Sequence, residues 1–119
     1  MRYILLFYDE EPTTPPSEAE MDAEMAQWYA YDSAVREAGI CVSSEALQPT
    51  QTATTVRLKG EDRIVTDGPF AETREVLGGY YVVDVPDLDT ALDWAARCPA
   101  AKHGSVEVRP VMVFDDPPQ

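Results

Sequence analysis

Apolar residues fall along this chain in short dense runs, separated by polar stretches that carry prolines and glycines. The first run, RYILLFY at residues 2–8, is apolar on both faces, as a central strand covered on both sides would be. After a Pro- and Thr-rich loop, DEEPTTPP, the period changes. SEAE supplies a capping box: Ser17 accepts from the backbone N–H three residues on while Glu20 reaches back. The helix that begins there is predicted to run to Ala38 and stop at Gly39, a left-handed cap position. Its apolar stripe is Met21, Met25, Trp28 and Val35. ICVSSEAL, residues 40–47, predicts a second strand, and TTVRL and RIVT predict two short strands joined through KGED as a hairpin. GYYVVDV is a further strand, which leaves through Pro86 and Asp87 into a second helix, LDTALDWAARC, with Leu88, Leu92 and Ala95 on one face. SVEVRPVMVF, residues 105–114, is the last strand, and DDPPQ reads as a frayed tail.

The order is β-α-β, hairpin, β-α-β, an α+β arrangement of the split, ferredoxin-like kind, with two helices on one face of an antiparallel sheet. No repeat or long linker divides it, so residues 1–119 are expected to form one domain. Two helices cover one sheet face only. The apolar side chains of the other face need cover, and a second copy supplies it most economically, so a homodimer is expected.

Composition narrows the function. Apolar residues are 45% and charged residues 26% of the chain, which is the balance of a globular protein. The 22 acidic residues against 9 basic ones give a net charge of −13, a field that repels nucleic-acid phosphates and anionic lipid surfaces. The opening apolar run is closed by acids too early for a signal-peptide core or a membrane span, so a cytoplasmic protein is expected. Cys41 and Cys98 fit no zinc or CxxC spacing and read as reduced, half-buried thiols. With one histidine, His103, no metal site is expected, and no dinucleotide, P-loop or G-x-S-x-G fingerprint implies a cofactor or an activated serine.

A few residues carry candidate chemistry. Asp32 falls in the middle of the first helix's apolar stripe, where an unpaired carboxylate costs several kcal/mol. Either it looks into a cleft, flanked by Tyr29 and Tyr31, or it escapes to water or meets an arginine. Glu107 and Arg109 lie two apart on the last strand and share a face. They pair across strands or across a dimer interface, or Arg109 binds substrate. His103, in the loop AAKHGS, is a proton shuttle if a carboxylate lies nearby, and otherwise a solvent-facing side chain. The stretch VTDGPFAETREVLGGYY is more elaborate than a strand connection requires. Asp67 is placed to close an Asx turn, Pro69 fixes its own φ, and Phe70 offers an apolar anchor to the body. AETREVL is predicted to form a short helical turn, and Gly78-Gly79 a bulge or close backbone approach.

DGPFAETREVLGGYY resembles the signature of the DGPF proteins, a branch of the YCII-related families, and RYILLFY, EALQPTQTATTVR and CPAAKHGSVEVRPV extend the likeness over most of the chain. The resemblance implies a ferredoxin-like fold, a homodimer of the dimeric α/β-barrel type, and a genetic neighbourhood with extracytoplasmic-function sigma factors. The wider group is proposed to use a His–Asp pair with the histidine on the first helix. The corresponding position here is near Met25, and a thioether takes no proton, so that pair is not carried over. Two functions remain. One is a binding or regulatory module that holds a small molecule or a partner such as a sigma factor. The other is a cofactor-independent acid–base lyase, isomerase or hydrolase. In the latter Asp32 or Asp67 is the base, His103 the proton partner, Arg109 the anchor for an anionic substrate, and Tyr8 or Tyr80 a polarising hydroxyl, with Phe70 beside the ligand.

Overall fold

The computed structural model describes residues 1–114; the tail at 115–119, expected to be frayed, lies outside the described residues. In chain order the elements are β1 (Arg2–Asp9), α1 (Glu18–Glu37), β2 (Cys41–Ala46), a 3-10 turn (Thr50–Thr52), β3 (Thr54–Lys59), β4 (Asp62–Asp67), β5 (Val76–Asp84), α2 (Leu88–Arg97), α3 (Ala100–His103) and β6 (Ser105–Pro110). Four strands form an antiparallel sheet in the order β2-β5-β1-β6, with the helices on one face. This is the ferredoxin-like arrangement expected from the sequence. β3 and β4 pair only with each other, as a two-stranded arm inserted between β2 and β5.

Helix α1 starts as its sequence specifies, with the Ser17 hydroxyl oxygen accepting from the Glu20 N–H at 3.1 Å. Only half of the capping box forms, because the Glu20 carboxylate accepts a hydrogen bond from the Ser17 hydroxyl instead of reaching the backbone. The helix ends at Gly39, whose φ is +71°. Asp87 caps α2 by accepting from the Thr90 N–H at 2.8 Å.

The core lies between sheet and helices. Tyr3, Leu5 and Phe7 of β1, Tyr81 and Val83 of β5, and Tyr31 and Val35 of α1 are all buried. On α2 the buried residues are Ala91 and Ala95, followed by Cys98, while Leu88 and Leu92 are exposed, contrary to the expected face. The cause is size. Alanines let α2 settle close to β1 and β6, whereas α1 does not come as near to any strand. It stands on the rings of Trp28 and Tyr31, which pack on Phe7 and Tyr81. Cys98 is fully buried and Cys41 half-buried; both are free.

Other boundaries also shift. β6 stops at Pro110 rather than Phe114, because its partner β1 begins at Arg2, whose carbonyl takes the last bond of the ladder from the Val111 N–H at 2.9 Å. β5 begins at Val76, so AETREVL forms a bend and the start of a strand instead of a helical turn. The glycine pair does what was expected of it. Phe7 pairs with Gly79 and Tyr8 with Leu77, which leaves Gly78 as the extra residue of a bulge. A Cβ on Gly79 would come within 2.6 Å of the Glu45 carbonyl oxygen of β2.

The arm makes the molecule wide and thin, 51 × 47 × 20 Å, with a radius of gyration of 17.0 Å. A compact chain of this length has about 13–14 Å. Val56, Leu58, Ile64 and Val65 on the arm are all exposed.

The DGPF turn at the arm's base is closed by backbone. The Gly68 N–H donates to the Ala53 carbonyl at 2.7 Å, and the Thr55 hydroxyl donates to the Gly68 carbonyl at 2.8 Å. Gly68 has φ +100°, a conformation that L side chains avoid. Asp67 is exposed, and its carboxylate takes no hydrogen bond among the described residues, so the expected Asx turn is absent. Urea unfolding should therefore show Asp67→Asn within about 0.5 kcal/mol of the parent and Gly68→Ala less stable by about 1–3 kcal/mol. The reverse ranking would return the turn to the carboxylate.

Candidate functional site

Because α1 is held off the sheet by rings, its first two turns stand clear of the core and open a cleft of about 640 Å³. Met21, Glu24, Met25, Trp28, Tyr29 and Asp32 of α1 form one wall. The floor is Phe7 and Tyr81, and Pro99, Ala100 and His103 close the α3 end. Met21 and Met25, expected in the core, are 52% and 46% exposed, because they face this space.

Asp32 is the best-organised polar group in the cleft. The Tyr81 hydroxyl donates to its Oδ1 at 2.5 Å, and the Arg36 Nε donates to its Oδ2 at 2.8 Å. Arg36 lies one turn along the same helix, an i,i+4 ion pair, and extends toward the Ser44 hydroxyl. Both readings of Asp32 thus hold at once: it faces a cleft, and it meets an arginine. The Arg36 hydrogen bond, and then that of Tyr81, keeps the carboxyl below the usual carboxylate range, against a smaller opposing effect of burial. Burial, and then the bond to Asp32, pushes the Tyr81 phenol up, so it is a donor at all ordinary pH. Tyr31 is also pushed up by burial, and its hydroxyl donates to the Trp94 carbonyl at 2.9 Å. The two tyrosine rings meet edge to face with centroids 5.5 Å apart, tying the cleft floor to the core.

The other candidate residues distribute unevenly. His103 lines the same cleft as Asp32 and is exposed, but it ends the short helix α3 rather than lying in a loop. Tyr80 borders the cleft at the β2–β5 edge, where strand alternation turns its side chain toward the opposite sheet face. Tyr8 alternates to that opposite face as well and does not line the cleft. Arg109 pairs in register with Ile4 on the same reverse face, so it is no anchor for a substrate in the cleft. Neither it nor Glu107 forms an ion pair among the described residues. Asp67 lies at the base of the arm, outside the cleft. Phe70 is 74% exposed and anchors nothing in the body; the Arg57 guanidinium of β3 lies 4.8 Å from its ring centre.

Two residues of the site, Arg36 and Tyr81, do not stand out in the sequence as candidates. The i,i+4 spacing of Asp32 and Arg36 is a signal for the first. Tyr81 has none, since choosing it over Tyr80 requires knowing which face of β5 meets α1. No group of metal-binding side chains occurs among the described residues, and no helix there is long and apolar enough to cross a membrane.

Fold and site together define a small α+β protein of ferredoxin-like topology, whose first helix and central strands enclose an aromatic cleft with one fixed carboxylate. The model of the YCII-related domain matches residues 1–115, and the chain belongs to that family. It is similar to an uncharacterized protein of Rhizobium meliloti (strain 1021), with 39% identity over 117 residues, covering 96% of this chain and 94% of the relative. The DGPF motif is compatible with that membership. Met25 presents a thioether to the cleft.

Proposed function

We propose that the protein is a small-ligand-binding homodimer, whose ligand occupies the cleft between α1 and the sheet. The observation that carries this reading is the Asp32 carboxylate, fixed by Tyr81 and Arg36 beside a largely aromatic and thioether-lined space of about 640 Å³. A cavity of that size with a few convergent polar groups is what small-molecule sites have in common. Binding is favoured over acid–base catalysis by the state of the carboxylate. A general base works best with a pKa near the operating pH. Asp32 is shifted the other way, and both of its oxygens are engaged.

The homodimer rests on separate grounds. A two-stranded ribbon is barely stable alone in water, yet β3 and β4 leave Val56, Leu58, Ile64 and Val65 exposed. Ile4, Leu6, Tyr80 and Val82 lie on the sheet face away from the helices, with Glu107 and Arg109 beside them. Neighbouring opposite charges on one strand suit a twofold axis, which brings each against its counterpart. The acidic surface also favours a basic protein partner of the sigma-factor kind, on charge alone.

Met25→Trp tests the cleft. Met25 is 46% exposed, so an indole there fills the space without disturbing the core. In a thermal-shift screen of a metabolite set, compounds that raise the Tm of the parent should fail to raise that of Met25→Trp, while the unliganded Tm values agree within a few degrees. Compounds that stabilise both equally would place the ligand elsewhere. Light scattering on the same samples should give twice 13.2 kDa; the single mass would remove the dimer.

A further inference from the structure

If the cleft is a ligand site, as proposed, its lining selects a class of ligand, and the selection rests on that reading. The apolar part consists of the rings of Phe7, Trp28 and Tyr29 and the thioethers of Met21 and Met25. These take a flat or flexible hydrocarbon body, and methionines adapt to its shape. The charged part has almost a single sign. Asp9, Glu24 and Glu45 line the cleft together with Asp32, none of the three is in an ion pair among the described residues, and the His103 imidazole is the one basic side chain beside them. None of the nine lysines and arginines lines it. Arg36 is bound to Asp32 from outside, Arg74 is bound to Glu10, and Arg97 lies over the Trp94 ring at 4.2 Å.

An anion entering this space meets carboxylates and no fixed cation, inside a chain of net charge −13 whose wider field also opposes it. A cation meets the negative faces of aromatic rings, unpaired carboxylates and an attractive field. The geometry points to a small organic cation, a protonated amine on an aromatic or alkyl body, as the ligand class of the cleft. Its body lies against Trp28 and Met25, and its ammonium group is neutralised by Glu24 and Asp9. Asp32, already engaged on both oxygens, is a fixed acceptor at the floor rather than the main counter-ion. The enzyme reading from the sequence, with an arginine holding an anionic substrate, is incompatible with this lining.

Three near-isosteric probes separate the possibilities: 2-phenylethylamine, 2-phenylethanol and 3-phenylpropionate. They are titrated at millimolar concentration and low ionic strength by calorimetry, with tryptophan fluorescence as a second readout. The amine should bind at least about tenfold more tightly than the alcohol, a difference of about 1.4 kcal/mol, and the carboxylate should be weakest. Glu24→Gln should weaken the amine about threefold and leave the alcohol unchanged. Asp62→Asn, on the remote arm, should change neither, which separates the cleft from the general acidity of the surface. If the alcohol or the carboxylate binds as well as the amine and loses affinity in Met25→Trp, the ligand class is overturned while the cleft stands. An amine preference that Glu24→Gln leaves intact, or that Asp62→Asn reduces as much as Glu24→Gln does, also overturns it. If none of the three binds, the ligand class is overturned, and the Met25→Trp screen decides the cleft separately.

Discussion

Gly104→Ala should destabilise the protein by at least about 3 kcal/mol, more than a typical single substitution and a large share of the 5–15 kcal/mol that holds a domain together. Gly104 joins α3 to β6 where the chain passes the end of β1. A Cβ there would lie 1.9 Å from the Tyr8 carbonyl oxygen and 2.9 Å from the Asp9 Cα. Both obstacles are backbone, so no side chain can rotate away. Relief requires separating β6 from β1 at the Tyr8–Ser105 pair, the point from which His103 and Asp9 reach the cleft. Gly79→Ala should behave similarly, because its Cβ meets the Glu45 carbonyl oxygen across β2 and β5. Gly78 is the control. Its Cβ would find only the Phe7 carbonyl oxygen at 4.0 Å, an ordinary contact, so Gly78→Ala should stay within about 1 kcal/mol of the parent. Urea midpoints of the three variants decide the matter. Equal losses at Gly78 and Gly79 would mean that the pair serves general flexibility; a loss at Gly79 alone ties it to the close approach of two strands beside the cleft. If Gly104→Ala does not fold at all, the ranking of Gly79 against Gly78 still tests the same physics.

These contacts show which parts of the molecule its sequence made legible. Local signals read well. The Ser17 cap, the Gly39 stop, the Gly60 turn of the arm and the order of strands and helices depend on residues close in the chain, and each lies where its chemistry puts it. Signals that depend on how far a neighbour extends read poorly. The period of α1 identified its apolar face, but a helix of 20 residues is about 30 Å long, and periodicity cannot say where the sheet beneath it ends. The core therefore took Tyr31 and Val35 and left Met21 and Met25 to the cleft. On α2 the larger leucines were expected inside, yet close packing against β1 and β6 admitted only alanines. The site was half legible for the same reason. Asp32 stood out as a misfit in an apolar stripe, and the misfit proved to mark the cleft. Asp67, Phe70 and Arg109 were drawn in by their chemistry, but distance in the fold separates them from it. Nothing in one strand's sequence tells which of Tyr80 and Tyr81 faces a helix that precedes it by fifty residues or so.

The buried acids of the core should make the fold sensitive to base, with a loss of several kcal/mol between neutral and strongly alkaline pH. Tyr31 is 5% exposed, Tyr81 6% and Cys98 0%, and burial is the leading cause of a raised pKa in all three. Cys98 moves from 9.0 to about 11, while both phenols move up from 10.0. Each group is thus still neutral in the folded chain at a pH where the unfolded chain has released its proton. Their contribution is complete below the ordinary values and disappears as pH rises through the folded ones. Cys98 alone accounts for a loss on the order of 3 kcal/mol once pH has passed its folded value, since one pKa unit corresponds to about 1.4 kcal/mol. Asp32 acts in the opposite direction: its lowered pKa adds stability above the ordinary carboxylate range, lost only as pH falls through its folded value. That contribution is small, because the side chain is 35% exposed and the ion pair is screened by solvent. Urea midpoints at neutral pH, and again midway between the two Cys98 values, should therefore differ clearly. Cys98→Ala and Tyr31→Phe should each reduce the difference even where they lower stability at neutral pH, because each removes a proton released on unfolding. Tyr29→Phe, at a residue 66% exposed, should leave it unchanged. A midpoint indifferent to pH would mean that these groups ionise inside the fold. Ionised Tyr81 would then put a second anion 2.5 Å from the Asp32 carboxylate. The cleft's fixed acceptor depends on that phenol remaining a donor, so alkaline loss of fold and loss of the site should come together.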